Sequence, residues 1–198
     1  MIVESIKHNS ETSKSVNTRH SPATKLPSKG YFKLDLHQAW INFIKTYEPF
    51  QWYVTLTFKE PRHPESCNKA FYRWMRNINQ CLYGRRYREI KKGVTWIKAI
   101  EYQRREVIHF HCLVGSPELY KLKRLDFMKA WESDCKNTQE IINGYARISK
   151  YDHNRGAINY CSKYVLKGGE IDLYISPEQW YLLSDNSITP MLGKQFVH

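Results

Sequence analysis

Apolar residues fall at Leu36, Ala39, Trp40, Phe43, Ile44 and Tyr47, a spacing that predicts one face of a helix, and Pro49 ends it. Trp52, Val54, Leu56 and Phe58 then alternate with Tyr53, Thr55 and Thr57. That is the period of a strand with one apolar and one polar face. Pro61 and Pro64 mark a loop, and a second helix follows with Phe71, Trp74, Met75, Ile78 and Leu82 on one side. Val94 to Gln103 and Val107 to Val114 read as the two strands of a β-hairpin. Its turn at Arg104-Arg105 lacks the usual Gly or Asn. Leu119 to Lys136 reads as a helix through Leu122, Leu125, Met128 and Trp131, and Gly144 to Lys150 as a strand. A helix from Asn154 to Lys167 is stopped by Gly168-Gly169, and Ile171 to Ile175 forms a last strand. Hairpins and helices together predict an α+β fold, a central antiparallel sheet of about five strands flanked by helices.

Composition adds a domain plan. The 198 residues suit one domain, and a 41% hydrophobic content is enough to build a core. Residues 1–30 are rich in Ser, Thr, Asn, Lys and His and lack periodicity, which predicts a flexible basic tail ahead of a folded domain over 31–198. The N-terminus has no apolar segment of a secretory signal, and no run of about 18 apolar residues exists to span a membrane. The five cysteines are scattered without CxxC spacing, which argues against a disulfide framework or a thiolate zinc site and for a reducing compartment. The formal charge of +12 points to a polyanionic partner, and the 14% aromatic content suits nucleic acid. The basic residues are spread along the chain, unlike a membrane-surface helix.

His109-Phe110-His111 lies in the second hairpin strand, so both imidazoles project from one face while Ile108, Phe110, Cys112 and Val114 face a core. Two imidazoles at i and i+2 suit a divalent metal if a neighbouring strand supplies a third ligand. Glu101 is the candidate. With Gln103 paired to Val107 across a three-residue turn, Glu101 lies opposite His109 on the same face. A two-residue turn sends it to the other face unless a bulge corrects the register. Taken alone, the tripeptide also reads as two half-exposed strand histidines.

Tyr160-Cys161-Ser162-Lys163-Tyr164-Val165-Leu166-Lys167 repeats Y-x-x-K. On a helix, Ala157, Ile158, Cys161 and Val165 form one face, while Tyr160, Lys163, Tyr164 and Lys167 form another. A phenol is a poor nucleophile at neutral pH, and a nearby ammonium and metal favour the phenolate. The same spacing also suits an amphipathic helix with ordinary surface Tyr and Lys.

In order and spacing these pieces resemble the HUH endonucleases, over about Gln51 to Gly169. Y-V-T-L-T-F (Tyr53 to Phe58) resembles the first motif of rolling-circle replication initiators. His109-Phe110-His111 is similar to their metal-binding motif, with Glu101 where many place an acidic third ligand. Y-C-S-K-Y-V-L-K (Tyr160 to Lys167) resembles the nucleophile motif. The tyrosines follow the histidines, as in replication initiators and some single-strand transposases rather than conjugative relaxases.

The resemblance implies an HUH, RRM-like fold and a site-specific nickase and ligase acting on single-stranded or hairpin origin DNA. It implies that Glu101, His109 and His111 hold Mn²⁺ or Mg²⁺, and that Tyr160 attacks to form a 5′-phosphotyrosine, with Lys163 and then Lys167 assisting. Tyr164 is a second candidate nucleophile. Thr55 and Thr57 would line the site. Arg85, Arg86, Arg88, Lys91, Lys92, Arg104 and Arg105 would contact the DNA backbone, or form only a solvated basic face. No G-x-x-x-x-G-K-[ST] loop of an attached motor is present, so a separate host helicase and polymerase are expected. The expected location is the host cytoplasm, or the nucleus for a eukaryotic virus. A transposase acting on element-end hairpins shares the chemistry. A non-catalytic nucleic-acid-binding module would lack metal dependence and a covalent adduct.

Overall fold

The computed structural model describes residues 29–103, 106–152, 154, 156, 158, 161 and 170–185, so the expected tail falls almost wholly outside them. The elements run α1 (Lys29–Lys45), β1 (Trp52–Thr57), α2 (Pro64–Tyr83), β2 (Thr95–Tyr102) and β3 (Ile108–Gly115). A 3-10 turn (Leu119–Lys121), α3 (Arg124–Glu132), β4 (Ala146–Lys150), β5 (Ile171–Tyr174) and α4 (Pro177–Asp185) follow. The strands form one antiparallel sheet in the order β4-β1-β3-β2-β5, giving the α+β architecture that the sequence predicts.

Period-two alternation sorts each strand between two cores. On one face Trp52, Val54, Leu56, Trp96, Ile100, Phe110, Cys112, Val114, Ala146 and Ile148 pack beneath α2 and α3. Phe71, Trp74, Met75 and Ile78 of α2 and Phe127 and Trp131 of α3 complete that layer. The helix α2 starts where the chain allows it. Pro64 occupies its first turn, where a missing N–H costs nothing, and the His63 ring accepts from the Glu65 N–H at 3.3 Å. On the other face Ile97, Ala99 and Leu113 meet Ile41, Ile44 and Tyr47 of α1, together with Phe50, Tyr151, Ile158, Cys161 and Ile175.

Three departures from the sequence pattern have local causes. The buried stripe of α1 runs through Ile41, Ile44 and Tyr47, while Leu36 is exposed. The single helix expected from Leu119 to Lys136 is instead a 3-10 turn followed by α3. Beyond α3, Asp134 and Cys135 take positive φ angles, 53° and 58°. This turn directs Asp134 onto Arg73 of α2, which donates to both carboxylate oxygens at 2.7 and 2.9 Å, and onto the buried Asn143. The helix α4 was not expected. Its start carries a Ser-x-x-Gln cap signal, Ser176-Pro177-Glu178-Gln179, and the Ser176 hydroxyl accepts from the Gln179 N–H at 3.3 Å.

Candidate functional site

The hairpin connection decides the site. The Gln103 N–H donates to the Val107 carbonyl at 3.1 Å, so three positions separate the strands and Glu101 pairs with His109. Of the two registers open to the sequence, this one puts the carboxylate on the histidine face. Adjacent strands extend the pattern into rows. Thr57, His109 and Glu101 lie side by side, and Thr55, His111 and Ala99 form the next row.

Within these rows Glu101 Oε2 lies 3.0 Å from His111 Nε2. His111 is only 5% exposed, and burial pulls its imidazole below its ordinary value against the opposing pull of the Glu101 carboxylate. A neutral ring then donates from Nε2 to Glu101, leaving Nδ1 to accept. Two hydroxyls stand at that atom, Tyr53 Oη and Thr55 Oγ1, each at 3.4 Å. His109 sits nearer the rim, and Gln103 Nε2 lies 3.0 Å from its Nδ1. Tyr53 and Gln103 were not singled out in the sequence. Both follow from the period of two, one two residues before Thr55 and the other two residues after Glu101.

Two imidazoles and a carboxylate are donors suited to a divalent cation. Among the described residues no three His, Cys, Asp or Glu side chains are gathered into a ligand cluster. Glu101 and His111 make a hydrogen bond to each other, and His109 is turned to Gln103. The donor chemistry therefore fits such an ion, and in this arrangement the proton between Glu101 and His111 occupies the place that a cation would take.

Tyr160, Lys163, Tyr164 and Lys167, and Arg104 and Arg105, lie outside the described residues. Two residues of the expected nucleophile helix are described. Ile158 and Cys161 are buried, and Cys161 Sγ lies 4.0 Å from the His111 carbonyl oxygen. The residue that follows Tyr160 in sequence thus packs directly beneath the histidine strand.

The basic stretch sits elsewhere. Arg85, Arg86, Arg88, Lys91 and Lys92 follow α2 and precede the Thr95 end of β2, six residues from Glu101. At ~3.4 Å per residue that is about 20 Å along the strand. Lys92 pairs with Glu178 at 2.9 Å, and the Arg88 guanidinium lies over the Tyr87 ring at 5.7 Å. Thr55 is brought to the histidines, whereas this stretch is not. Thr57 is beside His109, and its hydroxyl donates to the Tyr145 carbonyl at 2.9 Å.

Among the described residues no helix is long and apolar enough to cross a membrane. No curated protein and no solved structure matches the chain. The model of the family described as Replication-associated protein ORF2 matches residues 51–169, more than half of the chain. That span opens one residue before β1 and closes one residue before Glu170, so it takes in the paired strands of the site and the Tyr160–Lys167 stretch. The chain accordingly belongs to this replication-associated family of rolling-circle initiators, and DNA is its partner.

Proposed function

We propose that the chain starts rolling-circle replication by nicking and rejoining one strand of its origin through a tyrosine–DNA intermediate. The observation that carries this reading is the β2–β3 register, which sets Glu101 opposite His109 and within 3.0 Å of His111. Glu101, His109 and His111 would hold Mn²⁺ or Mg²⁺, which when bound polarises the scissile phosphate and stabilises its developing charge.

The chain's own residues do the rest. The phenolate oxygen of Tyr160 attacks phosphorus, forming an O–P bond as the bond from phosphorus to the 3′-oxygen breaks. The products are a 5′-phosphotyrosine and a 3′-oxygen that takes up a proton. The freed 3′-hydroxyl primes synthesis. In the reverse attack a 3′-hydroxyl displaces the tyrosine and restores the phosphodiester. Lys163, and secondarily Lys167, favour the phenolate and hold the phosphate. Tyr164, four residues on, serves a second cleavage once the origin is regenerated. The contact of Cys161 with the His111 carbonyl supports this reading, because it brings the tyrosine segment under the histidine strand. Thr55 and Thr57 flank the scissile phosphate. Arg85, Arg86, Arg88, Lys91 and Lys92 contact the backbone farther along the strand, as Arg104 and Arg105 do near the hairpin. A host helicase and polymerase supply unwinding and synthesis.

The test incubates the protein with origin oligonucleotides and Mn²⁺ and resolves the products on a denaturing gel. A DNA-linked protein band is expected, lost on chelation and lost when Tyr160 and Tyr164 are both changed to Phe. An adduct that survives in the double variant would refute the tyrosine assignment.

A further inference from the structure

The rows that define the site continue past β1 onto the edge strand. Arg147 of β4 pairs with Thr55, so the second row runs Arg147, Thr55, His111, Ala99. Tyr145, one residue before β4, extends the first row, because its carbonyl accepts from both the N–H and the hydroxyl of Thr57, each at 2.9 Å. Ala146 and Ile148 turn into the core under α3, which sends Tyr145 and Arg147 to the histidine face. There Arg147 is exposed and Tyr145 is 69% exposed. Among the described residues Arg147 pairs with no carboxylate. Two strand spacings, about 10 Å, separate this pair from His109.

A large aromatic held open to solvent beside an exposed cation, level with the candidate metal ligands, has the chemistry of a single-strand subsite. Bases stack on exposed rings whatever their sequence, and a guanidinium takes the adjoining phosphate. A duplex offers no free base face to such a ring. We propose that Tyr145 and Arg147 form a binding subsite for single-stranded DNA, in which Tyr145 stacks a base near the scissile phosphate and Arg147 holds the backbone. The proposal rests on the nicking reading for where the DNA runs, and it adds residues that the histidine–tyrosine chemistry does not use. The overall charge of +12 makes the strand electrostatically welcome, and β4 gives it a direction across the sheet.

The experiment measures binding of the full chain to a fluorescently labelled single-stranded oligonucleotide by anisotropy, without metal, alongside a hairpin duplex of the same composition. Tyr145→Ala is expected to weaken single-strand binding about 5- to 100-fold. Tyr145→Phe, which keeps the ring, stays within about twofold of the unaltered protein. Arg147→Ala lowers the slope of log affinity against log salt by about 0.7. Tyr120→Ala, at a tyrosine that is 81% exposed beyond the far end of β3, leaves binding unchanged. The subsite is overturned if Tyr145→Ala binds as the unaltered protein does, if Tyr145→Phe loses as much as Tyr145→Ala, or if duplex binding falls equally. The same preparations are assayed with Mn²⁺ for the covalent adduct. An adduct with undiminished binding by Tyr145→Ala refutes the subsite and keeps the nicking reading. Weakened binding without any adduct does the reverse.

Discussion

Lys98 lies on the core face of β2, between Trp96 and Ile100, and is 0% exposed. Its ammonium donates to Asn68 Oδ1 at 2.8 Å and Asp172 Oδ2 at 3.0 Å, and the rings of Phe71, Phe110, Tyr72 and Trp96 surround it at 4.7 to 5.7 Å. Asp172 on β5 is 38% exposed and also accepts from the Tyr72 hydroxyl at 2.8 Å. Burial, followed by that carboxylate, holds the Tyr72 phenol far above its ordinary value, so it remains a donor. At 3.0 Å and an effective dielectric constant of ~20, the Lys98–Asp172 attraction is about 5–6 kcal/mol, against a desolvation cost of several kcal/mol for the buried ammonium. Removing either partner has unequal consequences. Asp172→Ala forfeits the attraction and leaves the ammonium in the core, at a cost of about 3–5 kcal/mol. Lys98→Met fills the same volume, and Asp172 turns to water while keeping Tyr72, at a cost of about 0–1.5 kcal/mol. In thermal unfolding followed by circular dichroism, Asp172→Ala should lower Tm by roughly 6–20 °C. Lys98→Met should shift it by only a few degrees, and the double variant should match Lys98→Met. A Lys98→Met protein as unstable as Asp172→Ala would refute the argument.

Other outcomes follow from single contacts. A Cβ at Gly144 would lie 2.6 Å from the Thr57 carbonyl oxygen, a backbone atom in the middle of the β1–β4 pairing, so Gly144→Ala should cost about 1–3 kcal/mol in urea unfolding. Burial pushes Cys161 up to about 12 and Cys67 and Cys135 up to about 11, and Cys112 well above its ordinary value, while Cys81 is exposed on α2. Because the thiolate reacts, and its fraction falls tenfold for each unit that the pKa stands above the pH, iodoacetamide at about pH 8 should label Cys81 alone in the folded protein. Mass spectrometry showing rapid labelling of a second thiol before unfolding would contradict this. His109→Ala and His111→Ala should each lower Mn²⁺ affinity at least about tenfold by calorimetry. Only His111→Ala, which empties a buried position, should also lower Tm, by several degrees.

The strands were legible because alternation is a strong local signal. Trp52, Val54 and Leu56 alternate with Tyr53, Thr55 and Thr57 in the sequence and divide between the two faces in the fold. The side on which Glu101 emerges was not local. It depended on the length of the turn between Gln103 and Val107, which residue types left open at Arg104-Arg105. Tyr53 and Gln103 were legible by the same period of two. The inward position of Lys98 was legible too, since it falls between Trp96 and Ile100, but its partner lies 74 residues on and no pattern links them. The spacing of Leu122, Leu125, Met128 and Trp131 suggested one long helix, yet the Asp134–Arg73 pair turns the chain beyond Glu132. Leu125 is exposed there, because Phe127 and Trp131 supply the packing.

The depth of the site is graded by what covers the second face of the sheet. The α1 layer and the segment at Ile158 and Cys161 cap Ala99 and Leu113, so the row that contains His111 lies at the edge of this cover. The next row, with His109 and Glu101, lies beyond it, and the Glu101 side chain keeps 27% of its surface exposed. Strand alternation alone would give both histidines the same environment. The cover makes them differ: His111 is fixed by burial and by contacts to Glu101, Tyr53 and Thr55, whereas His109 and Glu101 face the approach of a ligand. Cys161 ties that cover to the histidine strand through the His111 carbonyl, so the segment that follows Tyr160 and the inner histidine share one packing unit. A change in how this cover packs would therefore alter the inner histidine and the tyrosine segment together, while leaving the rim carboxylate and the exposed ring of Tyr145 where the sheet register puts them.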